Sequence, residues 1–360
     1  MNAAAPPPTH FWLRTETKPN ESRSPITPNT AQQLVAQGCQ VSVERSDKRV
    51  FPDEEFATAG CRIVTQGSWG DAPHHAYIIG LKELPDADGD LRHRHIYFGH
   101  AYKGQPGATK LLQRFHRGGG TLLDLETLAD DHGRRVAAFG YWAGYAGAAL
   151  ALASCRLQAQ GKHLAALSPF DSQDGLNQFV QACLGRERDS LLRRSNCLVI
   201  GARGRSGQGA IECLEQHGCQ ISAWDLEETA KGGPFSEINH HDILVNCVLL
   251  STATPPFVSP ESLGHSPRLR TIADVSCDPH HIHNPLPIYN QHTSFHQPSQ
   301  LIQGQQIRII SIDNLPSLLP RESSEDFAGQ LLPHLLEISH WTEPWANTQK
   351  AFKEASHSVI

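Results

Sequence analysis

The chain has 360 residues, of which 39% are hydrophobic and 19% charged, so it is long enough for two domains and ordinary in composition for a globular protein. Its net charge of −6 and the lack of any Lys/Arg run argue against a nucleic-acid-binding protein and favour a small-molecule ligand. The nine cysteines occur singly, without a C-x-x-C pair, which fits a reducing compartment better than a disulfide framework or a zinc site.

The N-terminal residues 1–10 have neither the charged region nor the apolar region of a signal peptide, so we expect a cytoplasmic protein. Residues 136–153 carry no charge, but they are largely Ala and Gly, which gain little from a hydrocarbon environment. This stretch therefore predicts a closely packed, buried helix rather than a membrane span, and we expect no membrane partner.

The first third of the chain alternates short apolar strands with helical segments, which is an α/β pattern. In chain order these are the strand FWLRT, a helix opened by Thr27 and Pro28, the strand QVSVE, a helix near DEEFATAG, the strands CRIVT, AYIIGLKE and HIYFGHAYK, a helix around KLLQRFHR and the strand TLLDLE. Such alternation predicts a mostly parallel sheet covered on both faces.

A helix from about residue 134 carries the chain into a second α/β unit, with strands CLVIG, QISAW, DILVNCVLL, TIADVS and IRIISID. The amphipathic segment SSEDFAGQLLPHLLEI predicts a helix that packs back on the first domain. We therefore predict two Rossmann-like, doubly wound domains with mostly parallel sheets. The first comprises residues 1–133 and 321–360, and the second comprises residues 134–320.

A glycine-rich turn in the second domain predicts the cofactor. Residues 197–225 read as a strand, a turn with four glycines, an amphipathic helix, a second strand and the acidic Asp225; the glycines are Gly201, Gly204, Gly207 and Gly209. Glycines let the backbone approach a pyrophosphate at the helix N-terminus, and the acid accepts hydrogen bonds from a ribose. Because Asp225, Glu227 and Glu228 would repel an extra phosphate, the pattern predicts NAD rather than NADP.

Polar residues at strand ends predict the chemistry, because ligands of open α/β sheets bind beyond the carboxyl ends of the strands. These residues are Lys82, His100, Lys103, Glu126, Ser276, Asp278 and Asp313. A lysine beside a histidine can supply the acid and base that amine or imine redox chemistry needs. Basic side chains around them could hold carboxylates; they are Lys18, Arg23, Lys103, Arg134 and Arg135. We therefore expect a polycarboxylate substrate in a cleft between the two domains.

The 21 histidines include the clusters HRH at 93–95 and HHIH at 280–283, which raise the hypothesis of a metal site. No H-E-x-x-H or carboxylate-bridged spacing accompanies them, and adjacent loop histidines do not converge on one ion without other ligands. We therefore expect no metal.

Several long strings in the chain resemble the NAD-dependent, lysine-forming saccharopine dehydrogenases. They occur in the same order as in that family: TETKPNESRSPITP, GLKELP, HIYFGHAYKGQ, GRRVAAFGYWAGYAGAAL, the glycine turn, WDLEET, KGGPF, DVSCDP, HNPLPIY and SIDNLPSLLPRE. The resemblance extends from about residue 11 to residue 340. It implies two Rossmann-like domains and the conversion of saccharopine, NAD and water to lysine, 2-oxoglutarate and NADH.

The resemblance also implies roles for individual residues. Lys82 corresponds to the proton acceptor for the secondary amine, and His100 to the residue that assists water addition to the imine and collapse of the carbinolamine. The implied substrate positions are Lys18, Arg23, Lys103, Gln105, Glu126, Arg135, Phe139, Ser276, Cys277 and Asp278. The implied cofactor positions are Arg134, Gly201, Gly204, Arg205, Gly207, Asp225, Thr229, Leu249, Val275, Ile312, Asp313, Asn314 and Leu315.

The chain departs from the family pattern at three positions. Ser206 replaces a cysteine that could pair with the one matching Cys247, so that disulfide cannot form here. Leu249 replaces an aromatic residue beside the cofactor, and Asn314 replaces a histidine. These changes bear on cofactor affinity more than on the type of reaction.

Three other functions stay open. An alanine-dehydrogenase-like or other opine-type oxidoreductase would share the N-terminal E-x-R…TP pattern and the cofactor turn. A non-catalytic NAD-binding regulator would keep the fold without turnover, and a metal-dependent enzyme built on the histidines is the weakest alternative. We expect a monomer acting on small molecules.

Overall fold

The computed structural model describes residues 7–102, 104–184, 194–264 and 268–357. The chain divides into two compact units. The first contains Met1–Ala138 and Ser323–Ile360, and the second contains Phe139–Glu322. The second unit is therefore an insertion between two segments of the first.

The first unit contains a six-stranded sheet in the order β3-β2-β1-β4-β5-β6. All five strand pairs are parallel. The elements are β1 (His10–Leu13), α1 (Pro28–Ala36), β2 (Gln40–Glu44), α2 (Asp53–Thr58), β3 (Arg62–Val64), β4 (Tyr77–Ile79), β5 (Arg94–Tyr97), α3 (Ala108–Gly118) and β6 (Thr121–Asp124), with α10 (Glu343–His357) from the C-terminal segment.

The second unit contains a six-stranded sheet in the order β11-β12-β10-β9-β7-β8, parallel except for the edge strand β11. Its elements are α4 (Gly140–Gln158), α5 (Gln173–Ala182), β7 (Asn196–Ile200), α6 (Arg205–Gln216), β8 (Gln220–Trp224), α7 (Leu226–Thr229), β9 (Ile243–Asn246), α8 (Pro260–Leu263), β10 (Thr271–Asp274), β11 (Gln300–Leu301) and β12 (Arg308–Ile310). Helix α9 (Pro320–Leu336) continues the chain into the C-terminal segment of the first unit. The predicted α/β class with two mostly parallel sheets is confirmed.

Local sequence signals explain where several elements begin. The Thr27 side chain accepts a hydrogen bond from the Thr30 N–H, and Thr30 bonds back to the Thr27 N–H, which caps α1 just before Pro28. The predicted strands QVSVE and QISAW coincide with β2 and β8. Capping chemistry and apolar runs are local properties, so the sequence alone can reveal them.

Helix α4 is buried over most of its length, as its lack of charge predicts. It packs against α6 through glycines: a Cβ atom added at Gly144 would lie 1.7 Å from the Ser206 carbonyl oxygen, and one at Gly209 would lie 2.0 Å from the Tyr141 carbonyl oxygen. The two helix backbones therefore approach more closely than any larger residue allows. Among the described residues, none of the helices combines the length and apolar character that a membrane crossing requires.

Three predicted boundaries are wrong. Helix α4 begins at Gly140 rather than near residue 134, because residues 129–135 form a turn in which the Asp130 carboxylate accepts the N–H groups of His132 and Arg134. Strands β4 and β5 end at Ile79 and Tyr97, three residues before Lys82 and His100. Both side chains lie on loops that follow the strands instead of on the strands themselves.

Candidate active site

Lys82 follows β4 on a segment whose backbone is held by two charged side chains. The Glu16 carboxylate accepts the Leu81 N–H at 2.6 Å and the Lys82 N–H at 3.0 Å. The Arg14 guanidinium donates to the Lys82 carbonyl oxygen and lies 3.4 Å from the Glu16 carboxylate. The Lys82 side chain is half-buried. Both polar groups of the Lys82 main chain are therefore fixed.

A second buried ion pair lies in the same unit. Arg23 donates to the Glu21 carboxylate at 2.8 Å from Nε and 2.6 Å from Nη2, and both residues are buried. Burial alone would raise the pKa of Glu21, but the Arg23 guanidinium, with a contribution from Lys82, outweighs it and holds that pKa below its usual range. The predicted substrate residue Arg23 is therefore already bound to a carboxylate of its own chain.

His100 lies between two carboxylates and has a left-handed backbone, with φ 48°. Its Nδ1 lies 3.1 Å from Glu126 and its Nε2 lies 3.7 Å from Glu83, which in turn lies 3.6 Å from Lys18. The hydrogen bond to Glu126 raises the pKa of His100 in spite of partial burial, and the charge of Glu83 adds to the rise. The imidazole is therefore a proton donor or acceptor oriented by its own carboxylate.

Asp124 closes β6 beneath this histidine and is fully buried. Its Oδ1 accepts the Glu126 N–H at 2.9 Å, so it fixes the loop that carries Glu126. Burial raises the pKa of Asp124 to about 6, against the opposing effect of the Glu126 and Gly99 backbone amides. Asp124 therefore supports the loop at the cost of a desolvated carboxyl group.

The remaining predicted residues of the first unit are more exposed. Arg134 pairs with Asp130 at 3.1 Å, Arg135 is exposed, and Gln105 is half-buried. Phe139, at the start of the second unit, immediately precedes α4. Lys103 lies outside the described residues.

In the second unit the glycine turn has the geometry that a dinucleotide requires. Gly201 has φ 84°, and Gly204 is the N-cap of α6. A Cβ atom added at Gly207 would lie 2.1 Å from the Gly201 carbonyl oxygen, so the helix packs directly on the turn. The first N–H groups of α6 therefore follow a turn that begins and ends with glycine, which suits a pyrophosphate.

Asp225 lies at the end of β8, oriented by the backbone. Its carboxylate accepts the Arg203 N–H at 2.8 Å and the Leu226 N–H at 2.9 Å. The Glu228 side chain bonds back to the Asp225 N–H at 2.7 Å. A carboxylate has about four lone-pair sites, so acceptor capacity is left for ribose hydroxyl groups.

The end of β10 carries a hydrogen-bond network in which uncharged amide and hydroxyl groups surround the buried Asp274. Its Oδ1 accepts from the Asn246 amide at 2.9 Å and the Ser276 hydroxyl at 2.7 Å, and its Oδ2 accepts from the Tyr289 hydroxyl at 2.7 Å. Cys277 adopts φ 53°, and its Sγ lies 3.1 Å from His292 Nδ1. Burial raises the pKa of the Cys277 thiol, so this cysteine stays protonated.

The other predicted cofactor residues differ in exposure. Ile312 and Leu315 are buried in the core of the second unit. Thr229 bonds to the Asp225 carbonyl oxygen at 2.8 Å. Leu249, Arg205 and Asp313 are exposed, and Val275, Asp278 and Asn314 are half-buried. The roles assigned to these residues stay predictions.

The histidine clusters do not form a ligand set. Within the described parts of the chain, no group of three or more His, Cys, Asp or Glu residues is arranged to hold a metal ion. His93 bonds through Nε2 to the Ala72 carbonyl oxygen, and the His281 and His283 rings meet edge to face with their centres 5.7 Å apart.

The sequence analysis missed the carboxylates that organise both units. Glu16, Glu21, Glu83, Asp124 and Asp274 each hold a backbone or a side chain at the site. For Asp124 and Asp274 the available signal was their position, because each is the last residue of a short apolar strand at the edge where parallel strands end. Their partners depend on strand order, which the local pattern does not give.

Comparison with known proteins places the fold. Residues 12–146 match the family described as Alanine dehydrogenase/PNT, N-terminal domain. An L-alanine dehydrogenase structure aligns with a TM-score of 0.68 at 17% identity, covering 96% of this chain and 94% of that one. A transhydrogenase from Sinorhizobium meliloti aligns with a TM-score of 0.62 at 18% identity, covering 91% and 94%. At these identities the likeness shows a shared fold.

Closer relatives place the family. The chain is 50% identical over 343 residues to a protein of Emericella nidulans, covering 91% of this chain and 92% of the relative. It is 46% identical over 358 residues to a protein of Neurospora crassa, covering 96% of each. Both relatives are named saccharopine dehydrogenase [NAD(+), L-lysine-forming]. The family resemblance carried by the sequence motifs is confirmed, and the chain belongs to the NAD-dependent, lysine-forming saccharopine dehydrogenase family.

Proposed function

We propose that this protein catalyses the reversible, NAD-dependent oxidative cleavage of saccharopine to L-lysine and 2-oxoglutarate, as the names of its relatives indicate. The observation that carries the proposal is the arrangement around Lys82. Its main chain is held by Glu16 and Arg14, and its charge is one of the causes that lower the pKa of the buried Glu21. The half-buried His100 in the same unit is oriented by Glu126. Lys82 and His100 together supply one amine and one imidazole for proton transfer.

The substrate class follows from charge. Saccharopine carries three carboxylates, and the first unit offers Lys18 and Arg135 as exposed cations besides Arg23. Arginine binds carboxylates through two parallel hydrogen bonds, which fixes orientation as well as charge. We assign the contacts to substrate to Lys18, Arg23, Gln105, Arg135 and Phe139, with Lys103 as a further cation.

The chemistry needs proton transfers at two points. Lys82 takes the proton of the secondary amine as the carbon–nitrogen bond becomes an imine. His100 then removes a proton from the water that adds to the imine carbon and returns it to nitrogen. As the carbinolamine collapses to lysine and 2-oxoglutarate, the hydroxyl proton passes to the departing lysine amine. Glu126 keeps the imidazole in one orientation through these steps.

NAD suits the second unit, because the glycine turn, the N-terminus of α6 and the Asp225 carboxylate match the pyrophosphate and ribose of a dinucleotide. When bound, NAD accepts the hydride that leaves the substrate. The residues we assign to it are Arg134, Gly201, Gly204, Arg205, Gly207, Asp225, Thr229, Leu249, Val275, Ile312, Asp313, Asn314 and Leu315, with Ser276, Cys277 and Asp278 facing the substrate.

Turnover tests the proposal. Purified protein supplied with lysine, 2-oxoglutarate and NADH should consume NADH, whereas alanine with NAD should give no NADH. Absence of NADH consumption with lysine and 2-oxoglutarate would contradict the proposal.

The role of Lys82 is tested by the Lys82→Met variant, which should lose about 10²–10⁴-fold in kcat/KM, the usual contribution of a general acid–base group. The matched control is Lys110→Met, which removes an exposed lysine paired with Asp86 and Asp88 in the same unit. Retention of full kcat/KM by Lys82→Met would rule out the role.

The proposal also includes the cellular localisation and the oligomeric state of the enzyme. We assign it to the cytoplasm as a monomer, on the composition and the singly spaced cysteines, all nine of which are free. Light scattering of the purified protein should give the mass of one chain, and a mass twice as large would correct the assignment.

A further inference from the structure

Arg14 and Glu16 lie just beyond β1 and surround the peptide unit of Lys82. The Glu16 carboxylate accepts two successive N–H groups, from Leu81 at 2.6 Å and from Lys82 at 3.0 Å. The Arg14 guanidinium donates to the Lys82 carbonyl oxygen and pairs with Glu16 at 3.4 Å. The two side chains thus bind both polar groups of the residue that the proposed function places at the reacting amine.

The arginine is itself fixed in place. Arg14 is only 2% exposed, and its guanidinium lies 5.5 Å from the centre of the Tyr97 ring. A Cβ atom added at Gly80 would lie 2.5 Å from Arg14 Cζ, so the guanidinium occupies the space that this glycine leaves open. The Gly80 N–H bonds in turn to the Ile96 carbonyl oxygen at 3.0 Å. The contact between β1 and the segment after β4 is therefore closely packed.

Stability alone does not account for this pair. Burying two charges costs free energy that well-packed apolar residues of similar volume would not cost, so a buried ion pair is weak evidence for stabilisation. The pair does fix an orientation, because a carboxylate with two acceptor oxygens and a planar guanidinium donor restrict the position and orientation of the peptide group that they bind. The peptide in question is that of Lys82.

We propose that Arg14 and Glu16 are positioning residues, which hold the Lys82 main chain so that its amine stays at the distance proton transfer requires. The inference rests on the proposed role of Lys82. Catalysis depends steeply on placement, since a displacement of about 1 Å can cost about 100-fold in rate. Neither side chain touches the substrate; both act through the lysine backbone.

The chain offers a matched control in Glu44, a buried carboxylate that also accepts main-chain N–H groups but none from Lys82. Glu44 is 1% exposed and accepts the N–H groups of Thr15 at 2.9 Å, Gly67 at 2.9 Å and Trp69 at 2.7 Å. It lies at the end of the neighbouring strand β2 and has no bond to Lys82. Replacing it disturbs a buried backbone anchor without touching the lysine.

The first test compares Glu16→Gln with Glu44→Gln in the saccharopine reaction. In Glu16→Gln the amide turns an NH₂ group toward one of the two N–H donors, which releases the peptide. We expect a decrease of about 10–100-fold in kcat with KM for saccharopine within about threefold of wild type. Glu44→Gln should lower Tm by a similar amount and keep kcat within about twofold. Arg14→Lys, which keeps the charge but lacks the planar donor, should repeat the kcat loss if Glu16→Gln does not fold.

The second test does not require turnover. Trace acetylation followed by peptide mass spectrometry gives the reactivity of Lys82 relative to the exposed Lys162. This ratio should change by about threefold or more in Glu16→Gln and Arg14→Lys and stay constant in Glu44→Gln. Equal kcat losses in Glu16→Gln and Glu44→Gln, or an unchanged acetylation ratio, would overturn the inference. A wild-type protein without saccharopine turnover would refute the proposed function, while the acetylation ratio would still decide the positioning role.

Discussion

The candidate sites of the two units depend on different kinds of residue. In the first unit, ionisable side chains are buried around the segments that follow the strands, where Arg14, Glu16, Glu21 and Arg23 are each at most 8% exposed. In the second unit, glycines leave no room for a Cβ atom where α6 packs on the turn after β7 and on α4. The geometry of the first site therefore depends on charge and pH, whereas that of the second depends on steric clearance.

The sharpest way to break the second unit is to add one methyl group. Gly144→Ala places a Cβ atom 1.7 Å from the Ser206 carbonyl oxygen and should separate α4 from α6. We expect a loss of about 3 kcal/mol or more in the free energy of unfolding, equal at pH 5 and pH 8. Urea denaturation measures it. The control is Gly329→Ala, at an exposed position in α9 with no atom within 4 Å, which should stabilise by about 0.5–1 kcal/mol.

The first unit should respond to pH instead. Because the pKa of Asp124 is raised to about 6, its carboxyl group contributes stability that is full below the ordinary pKa and lost as pH rises through about 6. Asp124→Asn has no such titration. Its free energy of unfolding, relative to that of wild type, should therefore rise by about 3 kcal/mol at most between pH 4 and pH 8. Urea midpoints across that range measure the gain. A constant difference between the two proteins would show that Asp124 does not titrate there.

Cofactor affinity should depend on the second unit, and in particular on the Asp225 carboxylate. Asp225→Ala removes the acceptor for the ribose and should raise the Kd of NADH about tenfold, or about 1.4 kcal/mol, while reducing the preference over NADPH. Fluorescence titration measures both constants. Glu227→Gln removes a neighbouring exposed acid and should leave the Kd of NADH within about twofold. Equal Kd changes in the two variants would point to general charge rather than to the Asp225 carboxylate.

The smallest expected effect concerns His100, whose pKa is raised. The His100–Glu126 pair therefore stabilises the fold at low pH, and this stabilisation is lost as pH rises through the pKa of His100. Glu126→Gln removes the hydrogen bond and should lower the pKa of His100, as followed by NMR of the imidazole protons. Glu83→Gln removes only a charge at 3.7 Å and should lower it less. An equal or larger decrease of the His100 pKa in Glu83→Gln would contradict the conclusion that Glu126 raises this pKa more than Glu83 does.

Much of the fold follows from local signals, and the site follows only in part. The Thr27 cap, the apolar strands and the glycine turn are written in consecutive residues, so α1, β2, β8 and the turn before α6 could be predicted. The candidate residues Lys82, His100 and Asp225 could also be identified, because each follows a strand.

The partners of those residues could not be predicted. Arg14 and Glu16 are 68 and 66 residues from Lys82, and they meet it only because β1 pairs with β4. The predicted start of α4 is wrong for a similar reason, since the turn around Gly133 competes with the helix for residues 129–135. Strand order and competing turns are decided by the whole chain rather than by a short window.

The insertion of the second unit has a consequence for synthesis. Helix α10 packs on β6, Trp345 is fully buried, and Phe352 contacts Phe115, so the last segment of the chain completes the core of the first unit. On the ribosome, residues 139–322 emerge before that segment does. The NAD-type unit can therefore fold while translation continues, and the lysine-bearing unit stays incomplete until the final helix has left the exit tunnel.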